Sequence, residues 1–177
     1  MRTTSTRIVA MLMALAMAGC TIVPPVAPTP EGSKLATNPS LVQQLRTVPL
    51  DPERQTRGGE PTTALLLAVT LENTLTNFDY LQPIKTRPAH VVTVDLVKLD
   101  TPAFAITMDV AIQARYKVQS ASGEVLFDKV ISSQGQATPS DAFVGFRRLS
   151  LALQRAVQAN VDNLMKEFDG LKIAPAK

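Results

Sequence analysis

The sequence of 177 residues is poor in the side chains that most often carry out chemistry. It has no tryptophan, two tyrosines, one histidine (His90) and one cysteine (Cys20). A single cysteine excludes a disulfide within the chain and a zinc site built from several cysteines. A domain without disulfides is held together by its hydrophobic core, and hydrophobic residues make up 45% of this chain. We therefore expect one core-stabilised domain with few catalytic candidates.

The N-terminus has the pattern of an export signal. A basic start precedes an apolar run over residues 8–17, which is too short to cross a bilayer as a helix. Residues 15–20 are mostly small, end in cysteine and resemble the lipobox of bacterial lipoproteins. The resemblance implies cleavage between Gly19 and Cys20, acylation of Cys20 with fatty acids such as palmitate, and attachment to a membrane through these chains. The alternative is an ordinary secretory signal with an unrelated cysteine.

The charge of the chain argues against a nucleic-acid partner. The formal net charge is +3, and the isoelectric point is about 9.2. Arg2 and Arg7 belong to the signal, so its removal lowers the net charge to +1. A nearly neutral mature chain lacks the excess of basic residues that binding to phosphate backbones requires.

The segment after the signal predicts an extended tether. Five prolines fall within residues 21–39, which excludes a helix or a central strand. In a polyproline-like form this segment would reach about 60 Å at ~3.1 Å per residue. Thr21 stands where an aspartate would favour the inner membrane in lipoproteins of the enterobacterial type, so we expect the outer membrane, facing the periplasm. The expected organisation is a signal peptide (1–19), a lipidated tether (20–39), one domain (40–172) and a tail (173–177).

Hydrophobic spacing predicts a two-layer α+β domain after the tether. Apolar residues at three- and four-residue steps predict two helices, and alternation predicts three strands. The helices are expected at 62–78 and 141–169, the second capped by Ser140, and the strands at 91–99, 104–118 and 124–134. Gly123 suits a hairpin turn at positive φ, and residues 40–50 fit a short strand or a helix. The elements predict an antiparallel meander of three to four strands packed against two helices.

Several short strings in this domain resemble one family. They are Ala114-Arg115-Tyr116, Val125-Leu126-Phe127-Asp128, Asp141-Ala142-Phe143-Val144-Gly145 and Arg148-Leu149-Ser150-Leu151-Ala152. Over residues 62–170 the chain is similar to small proteobacterial outer-membrane lipoproteins, YajG-like in layout. The resemblance implies a periplasm-facing lipoprotein of undetermined role and supplies no catalytic residue. Members often carry the label UDP-N-acetylglucosamine acyltransferase, but enzymes of that name contain hexapeptide repeats, which this sequence lacks.

His90 is the one histidine available for acid–base catalysis. A nucleophilic triad would combine it with a serine and with Asp95 or Asp100. No Gly-x-Ser-x-Gly elbow presents a serine. We therefore expect a solvated loop histidine and no catalytic site.

The carboxylates of the predicted sheet are candidates for a cation site. Asp95, Asp100 and Asp109 could offer oxygen ligands on the polar face. Arg115 and Lys117 alternate onto the same face and are the expected ionic partners of these carboxylates. The spacing is not that of an EF-hand loop, so we expect neither a metal nor another cofactor.

The most distinctive string runs from Asp141 to Arg148. We expect Asp141 to stabilise the helix start through the helix dipole and Gly145 to permit close packing. Phe143 and Phe146 are expected to anchor the helix on the sheet. The alternative is a contact surface for a protein or an anionic glycolipid. The candidate contact residues are Arg147, Arg148, Asp141 and Arg115.

Three functions remain open at this point. The leading expectation is a lipid-anchored, non-enzymatic accessory protein of the bacterial envelope that docks an envelope protein or a lipid through the polar face or an edge of its sheet. The alternative is a lipid- or glycolipid-handling auxiliary subunit of an envelope transport system, which an apolar groove between helix and sheet would favour. A third is an acyltransferase or hydrolase, supported only by the label that family members carry.

Overall fold

A computed structural model describes residues 38–48, 61–82, 89–103 and 105–175. The helices and strands, in chain order, are β1 (Leu45–Thr47), α1 (Pro61–Asn77), β2 (His90–Asp100), β3 (Met108–Gln119), β4 (Val125–Ala137) and α2 (Gly145–Asp169). The predicted signal peptide, Cys20 and most of the tether lie outside the described residues. Within the described ranges, neither helix combines the length and the hydropathy that a membrane span requires.

The four strands form one mixed sheet in the order β1-β2-β3-β4. As predicted, β2, β3 and β4 are an antiparallel meander, and the two helices share one core with it. β1 pairs with β2 in parallel, from Leu45 opposite His90 to Thr47 opposite Val92. The direction is parallel because the chain passes through α1 between these strands, which makes the connection a crossover and not a hairpin. The arrangement confirms the two-layer α+β fold.

β3 has the pattern of a strand with one buried face. Its residues alternate between buried and more exposed positions along the whole strand, and the following turn has Gly123 at φ 89°, as predicted. The strand begins at Met108 and not at residue 104. Met108 pairs with Ala137, the last residue of β4, so residues 105–107 have no neighbour in β4 and Ile106 is 77% exposed.

α1 and α2 bury the apolar faces that the spacing predicts. Leu67, Leu71 and Leu75 of α1 are buried. The buried residues of α2 are Ala152, Ala156, Val157, Asn160, Val161, Leu164, Met165 and Phe168. α2 can approach β4 closely at Gly135, because a Cβ atom there would overlap the backbone of Ala152 and Ala156.

A buried polar network joins α2 to the sheet. Tyr116 Oη donates a hydrogen bond to Asn160 Oδ1 at 2.8 Å. Asn160 Nδ2 donates to the Ile131 carbonyl at 2.9 Å and to Ser133 Oγ at 3.0 Å. These bonds satisfy polar groups that would otherwise be costly to bury, and they fix the position of the helix along the strands.

The first described residues are held at the C-terminal end of α2. Asn38 Nδ2 donates to the carbonyls of Phe168 (2.6 Å) and Leu171 (2.7 Å). The Asn38 amide donates to Tyr80 Oη at 2.7 Å, and Ser40 Oγ donates to the Leu171 carbonyl at 3.1 Å. We call these contacts of Asn38 and Ser40 the Asn38 clamp.

α2 begins at Gly145 and not at residue 141. The residue before it, Val144, makes no side-chain cap, so the prediction of a Ser140 cap is wrong. Ser140 belongs to a turn, where its hydroxyl lies 2.6 Å from Thr138 Oγ1. The turn also contains a backbone hydrogen bond from the Asp141 amide to the Thr138 carbonyl at 3.0 Å.

Candidate docking surface at the start of the last helix

Residues 138–148, which we call the α2 tip, present large apolar side chains to solvent. Phe143 is 93% exposed, Phe146 is 77% exposed and Val144 is 54% exposed. The prediction that the two phenylalanines anchor the helix on the sheet is therefore wrong. The last pair of the β3–β4 ladder is Met108 with Ala137. The tip follows this end of the sheet, so the described strands offer these rings no surface to pack on.

Gly145 does not mark a close approach between α2 and the sheet. A Cβ atom there would lie 3.7 Å from the Arg148 guanidinium and 3.8 Å from Met108 Cε. These are ordinary van der Waals distances, so the expectation of close packing at Gly145 is wrong. The contact with Met108 does place the helix start beside the first residue of β3.

Asp141 fixes the turn that leads into the tip. Its carboxylate accepts hydrogen bonds from Arg155 Nη2 (2.7 Å), from the Thr138 amide (2.8 Å) and from Thr138 Oγ1 (2.9 Å). The bond from Arg155 and the bonds from Thr138 hold the pKa of Asp141 well below its usual range. Arg155 also donates to the Gln136 carbonyl at 2.6 Å, so the turn is tied both to α2 and to the end of β4.

Arg148 holds the backbone at Phe143 through hydrogen bonds. Its Nη1 donates to the carbonyls of Ala142 (2.9 Å) and Phe143 (2.7 Å). Arg147 is exposed, and no hydrogen bond or ion pair joins it to the part of the chain that the structure describes. The tip therefore combines a fixed backbone, two exposed phenyl rings and a cation, Arg147, that has no partner in the described ranges.

Arg115 lies elsewhere, on the outer face of the sheet. Its Nε and Nη2 donate to the two carboxylate oxygens of Asp128, each at 2.7 Å. The pairing lowers the pKa of Asp128 and raises that of Arg115, with hydrogen bonding as the main cause. α2 packs on the opposite face, toward which Ala114 and Tyr116 point. The four residues predicted as partner contacts therefore do not form one surface.

The remaining candidates for chemistry are engaged within the domain. His90 is only 4% exposed and its Nε2 lies 2.9 Å from the Ala174 carbonyl, so the prediction of a solvated loop histidine is wrong. It is buried because β1 and the segment after α2 cover the start of β2. Asp95 lies opposite Arg115 in the ladder, and Asp109 accepts a hydrogen bond from Gln136 at 2.7 Å. Among the described residues, no three His, Cys, Asp or Glu side chains come together as metal ligands.

A groove of about 760 Å³ separates α1 from β1 and the start of β2. Its apolar lining includes Leu65 and Val69 of α1, both partly exposed, and Val94 of β2. Arg46 and Glu72 place one charge of each sign at its lining. Its size and mixed lining are typical of sites for small apolar ligands.

Sequence reasoning identified the tip as distinctive but missed what makes it distinctive. Phe146 precedes Val157 by about three helical turns, so it lies on the same face of α2 as the buried stripe. Periodicity therefore predicts burial for Phe146 as well as for Val157. Their different exposure depends on where the sheet ends beneath the helix, and no local pattern in the sequence encodes that position.

No family model matches the sequence, and no curated protein matches it. Similar solved structures include a candidate lipoprotein from Caulobacter crescentus CB15 (12% identity, TM-score 0.48, 73% of this chain and 91% of that chain). A minor lipoprotein from Acinetobacter baumannii is 8% identical, with a TM-score of 0.49 over 72% of this chain and 93% of that chain. XCC0632 from Xanthomonas campestris, of family DUF330, is 12% identical, with a TM-score of 0.44 over 63% of this chain and 61% of that chain. Two of these three proteins are described as lipoproteins, and at such identities and TM-scores no role is carried over to this chain. The YajG-like resemblance stays a prediction.

Proposed function

We propose that this chain is a non-enzymatic interaction protein of the bacterial envelope. It is anchored through acyl chains on Cys20 in the outer membrane, faces the periplasm and docks a partner through the α2 tip. The observation that carries the proposal is the exposure of Phe143 and Phe146 on a backbone fixed by Asp141 and Arg148. The anchor rests on the sequence of residues 1–20.

The physical argument starts from the cost of exposing two phenyl rings. Burying a phenylalanine side chain stabilises a complex or a fold by about 1.5–3 kcal/mol, and this domain leaves two of them in water. The hydrogen bonds of Arg148 and Asp141 hold their backbone in place, so little conformational entropy would be lost on binding. Aromatic residues and arginine are also enriched in the cores of protein interfaces.

The tip is favoured over the outer face of the sheet, which was the leading docking surface from the sequence. Two ion pairs engage charged groups of that face, Arg115 with Asp128 and Lys98 with Asp100. A partner would have to compete with these bonds. At the tip, Arg147 and the two rings have no such engagement within the described chain.

The absence of an enzymatic role is part of the proposal. It is supported by the position of His90, which lies against the Ala174 carbonyl with no described serine or carboxylate as its hydrogen-bond partner. It is also supported by the carboxylates of the sheet, whose described partners are arginine, lysine and glutamine. Turnover of an acyl or ester substrate by the purified full chain would overturn it.

The test is a double substitution, Phe143→Ser with Phe146→Ser, in the tagged full-length protein. In-cell crosslinking followed by mass spectrometry of proteins and lipids should recover the partner with the wild type and at least about tenfold less with the variant. The stability of the domain should change by no more than ~0.5 kcal/mol, because both rings are exposed. Val130→Ser, which removes an exposed apolar side chain from the outer face, is the control. Undiminished recovery with the double variant would contradict docking at the tip.

A second function, lipid or glycolipid handling within an envelope transport system, is favoured by the groove between α1 and the sheet. An acyl chain would contact Leu65 and Val69, and Arg46 could meet an anionic headgroup. Mass spectrometry of the purified protein should then detect a bound lipid that Val69→Glu removes and that the Phe143 and Phe146 double variant retains. A lipid-free wild-type protein would leave the groove without support as a ligand site.

A further inference from the structure

We propose that the partner of the α2 tip is a protein with an apolar pocket rimmed by carboxylates, and that it binds on the side of the domain away from the anchoring membrane. The inference rests on the proposed function and adds the class and the position of the partner. It follows from where the tether leaves the domain and from the charge of the tip.

The Asn38 clamp fixes the exit point of the tether. Asn38 Nδ2 bonds to the carbonyls of Phe168 and Leu171, and the Asn38 amide bonds to Tyr80. The chain before residue 38, which includes Cys20, is therefore joined to the described domain at the C-terminal end of α2.

The α2 tip is at the other end of the same helix. α2 has 25 residues, which at about 1.5 Å per residue separates the clamp from the tip by roughly 37 Å. If the helix pointed its tip at the anchoring membrane, the tether would have to run back along the helix and use more than half of its reach of about 60 Å. The tip is therefore presented most readily to a partner beyond the domain.

The charge of the tip favours a protein pocket over a lipid surface. Asp141 is paired with Arg155, so it does not neutralise Arg147. Arg148 donates inward to carbonyls, which leaves Arg147 as the cation of the tip that has no partner among the described residues. One free basic residue raises affinity for an anionic membrane by only roughly fivefold. Each phenylalanine gains roughly tenfold to a hundredfold from burial in either environment. A protein pocket can in addition place carboxylates at fixed positions on its rim, where they would pair with Arg147.

The experiment is site-specific photo-crosslinking of the full-length protein in cells. The photoreactive residue p-benzoylphenylalanine replaces either Val144 at the tip or Lys172 beside the clamp, both of which are exposed. Each probe is combined with Arg147→Glu and with Arg147→Lys. The probe at position 144 is also combined with Lys172→Glu. Lys172→Glu reverses an exposed positive charge beyond the C-terminal end of α2, opposite the tip, and is the matched control.

The proposal expects a discrete protein adduct from position 144 and not from position 172. Arg147→Glu should reduce this adduct by at least about tenfold, because like charges would face each other at the rim, whereas Arg147→Lys and Lys172→Glu should leave most of it. A lipid adduct at 144, a protein adduct insensitive to Arg147→Glu, or the same protein at 172 would overturn the inference and leave docking at the tip intact. No adduct of any kind at 144 would overturn the proposed function as well.

Discussion

Gly135 lies in β4 where α2 crosses the strand, and its missing side chain sets the distance between the helix and the sheet. A Cβ atom at this position would overlap the backbone of Ala152 and Ala156. Backbone atoms cannot move aside as a flexible side chain can, so the whole helix would have to shift. The same helix carries Asn160, whose hydrogen bonds to Tyr116 and Ser133 require the present position.

Gly135→Ala should therefore destabilise the domain by about 3 kcal/mol through overpacking. Chemical denaturation followed by circular dichroism measures the change in the free energy of unfolding. Gly170→Ala is the matched control, because Gly170 has no neighbour within 4 Å of an added Cβ and has a helical backbone conformation. Its stability should stay within ~0.5 kcal/mol of the wild type. Equal stabilities of the two variants would contradict the close approach at Gly135.

At the scale of the element, α2 serves two purposes along its length. From Ala152 to Phe168 it buries one face against β3 and β4. Its first turn extends past the Met108–Ala137 pair and leaves Phe146 in water. The helix has no side-chain cap at Val144. The hydrogen bonds of the turn around Asp141 therefore hold the first residues of α2 in position.

The contribution of Asp141 to this turn should depend on pH. Its pKa in the folded state is depressed, chiefly by the hydrogen bond from Arg155 and then by those from Thr138. The usual pKa of an aspartate is about 3.9. The ionised carboxylate therefore stabilises the fold above about pH 4, and this stabilisation is lost as the pH falls toward the folded-state pKa.

Asp141→Asn should accordingly be less stable than the wild type at pH 7, with a difference that shrinks below about pH 4. Urea denaturation at a series of pH values measures it. Asp100→Asn is the control, since the exposed carboxylate of Asp100 pairs with the exposed Lys98 and such pairs contribute little. A difference for Asp141→Asn that stays constant between pH 7 and pH 3 would show that the ionised form is not what stabilises the turn.

At the scale of the molecule, the predicted N-terminal anchor sequence precedes every residue of the described core. The described core is formed by residues after 37, and Asn38 ties the beginning of this core to its end at Phe168 and Leu171. Membrane attachment and domain stability should therefore be separable properties.

Cys20→Ala should abolish incorporation of labelled palmitate and release the protein from the membrane fraction. The circular dichroism spectrum and the unfolding midpoint of the purified protein should not change, because residue 20 is not among the residues of the described core. Thr21→Ala, a change beside the acylation site, should keep the label. Incorporation of label by Cys20→Ala would refute the lipoprotein assignment.

Much of the fold could be predicted because its elements repeat with the geometry of their own backbone. The alternation in β3 and the stripe of α2 recur at the two-residue and 3.6-residue periods of strand and helix. β1 was ambiguous because a strand of three residues is too short to show either period. Its parallel direction depends on the crossover to β2, whose residue His90 pairs with Leu45 although the two are far apart in the sequence.

The candidate site was predicted less well, because exposure depends on neighbours. The string from Asp141 to Arg148 stood out, but Phe143 and Phe146 were expected to be buried. The sequence predicts that Arg115 pairs with a carboxylate of the sheet, but its partner is Asp128, which is not among the predicted ones. Arg148 is a predicted partner contact, but it donates to backbone carbonyls of its own chain. Composition shows which side chains are present and not which partners engage them.

The sequence by itself determined the predicted anchor at Cys20, the expected tether and the period of each long element. These features depend on residues that are close together along the chain. Only the tertiary structure decided that Gly135 is the point of close approach, that His90 is buried, and that the start of α2 extends beyond the sheet. These depend on which residues from distant parts of the chain come to lie side by side, because burial, overlap and pairing are properties of the packed layers and not of a local pattern.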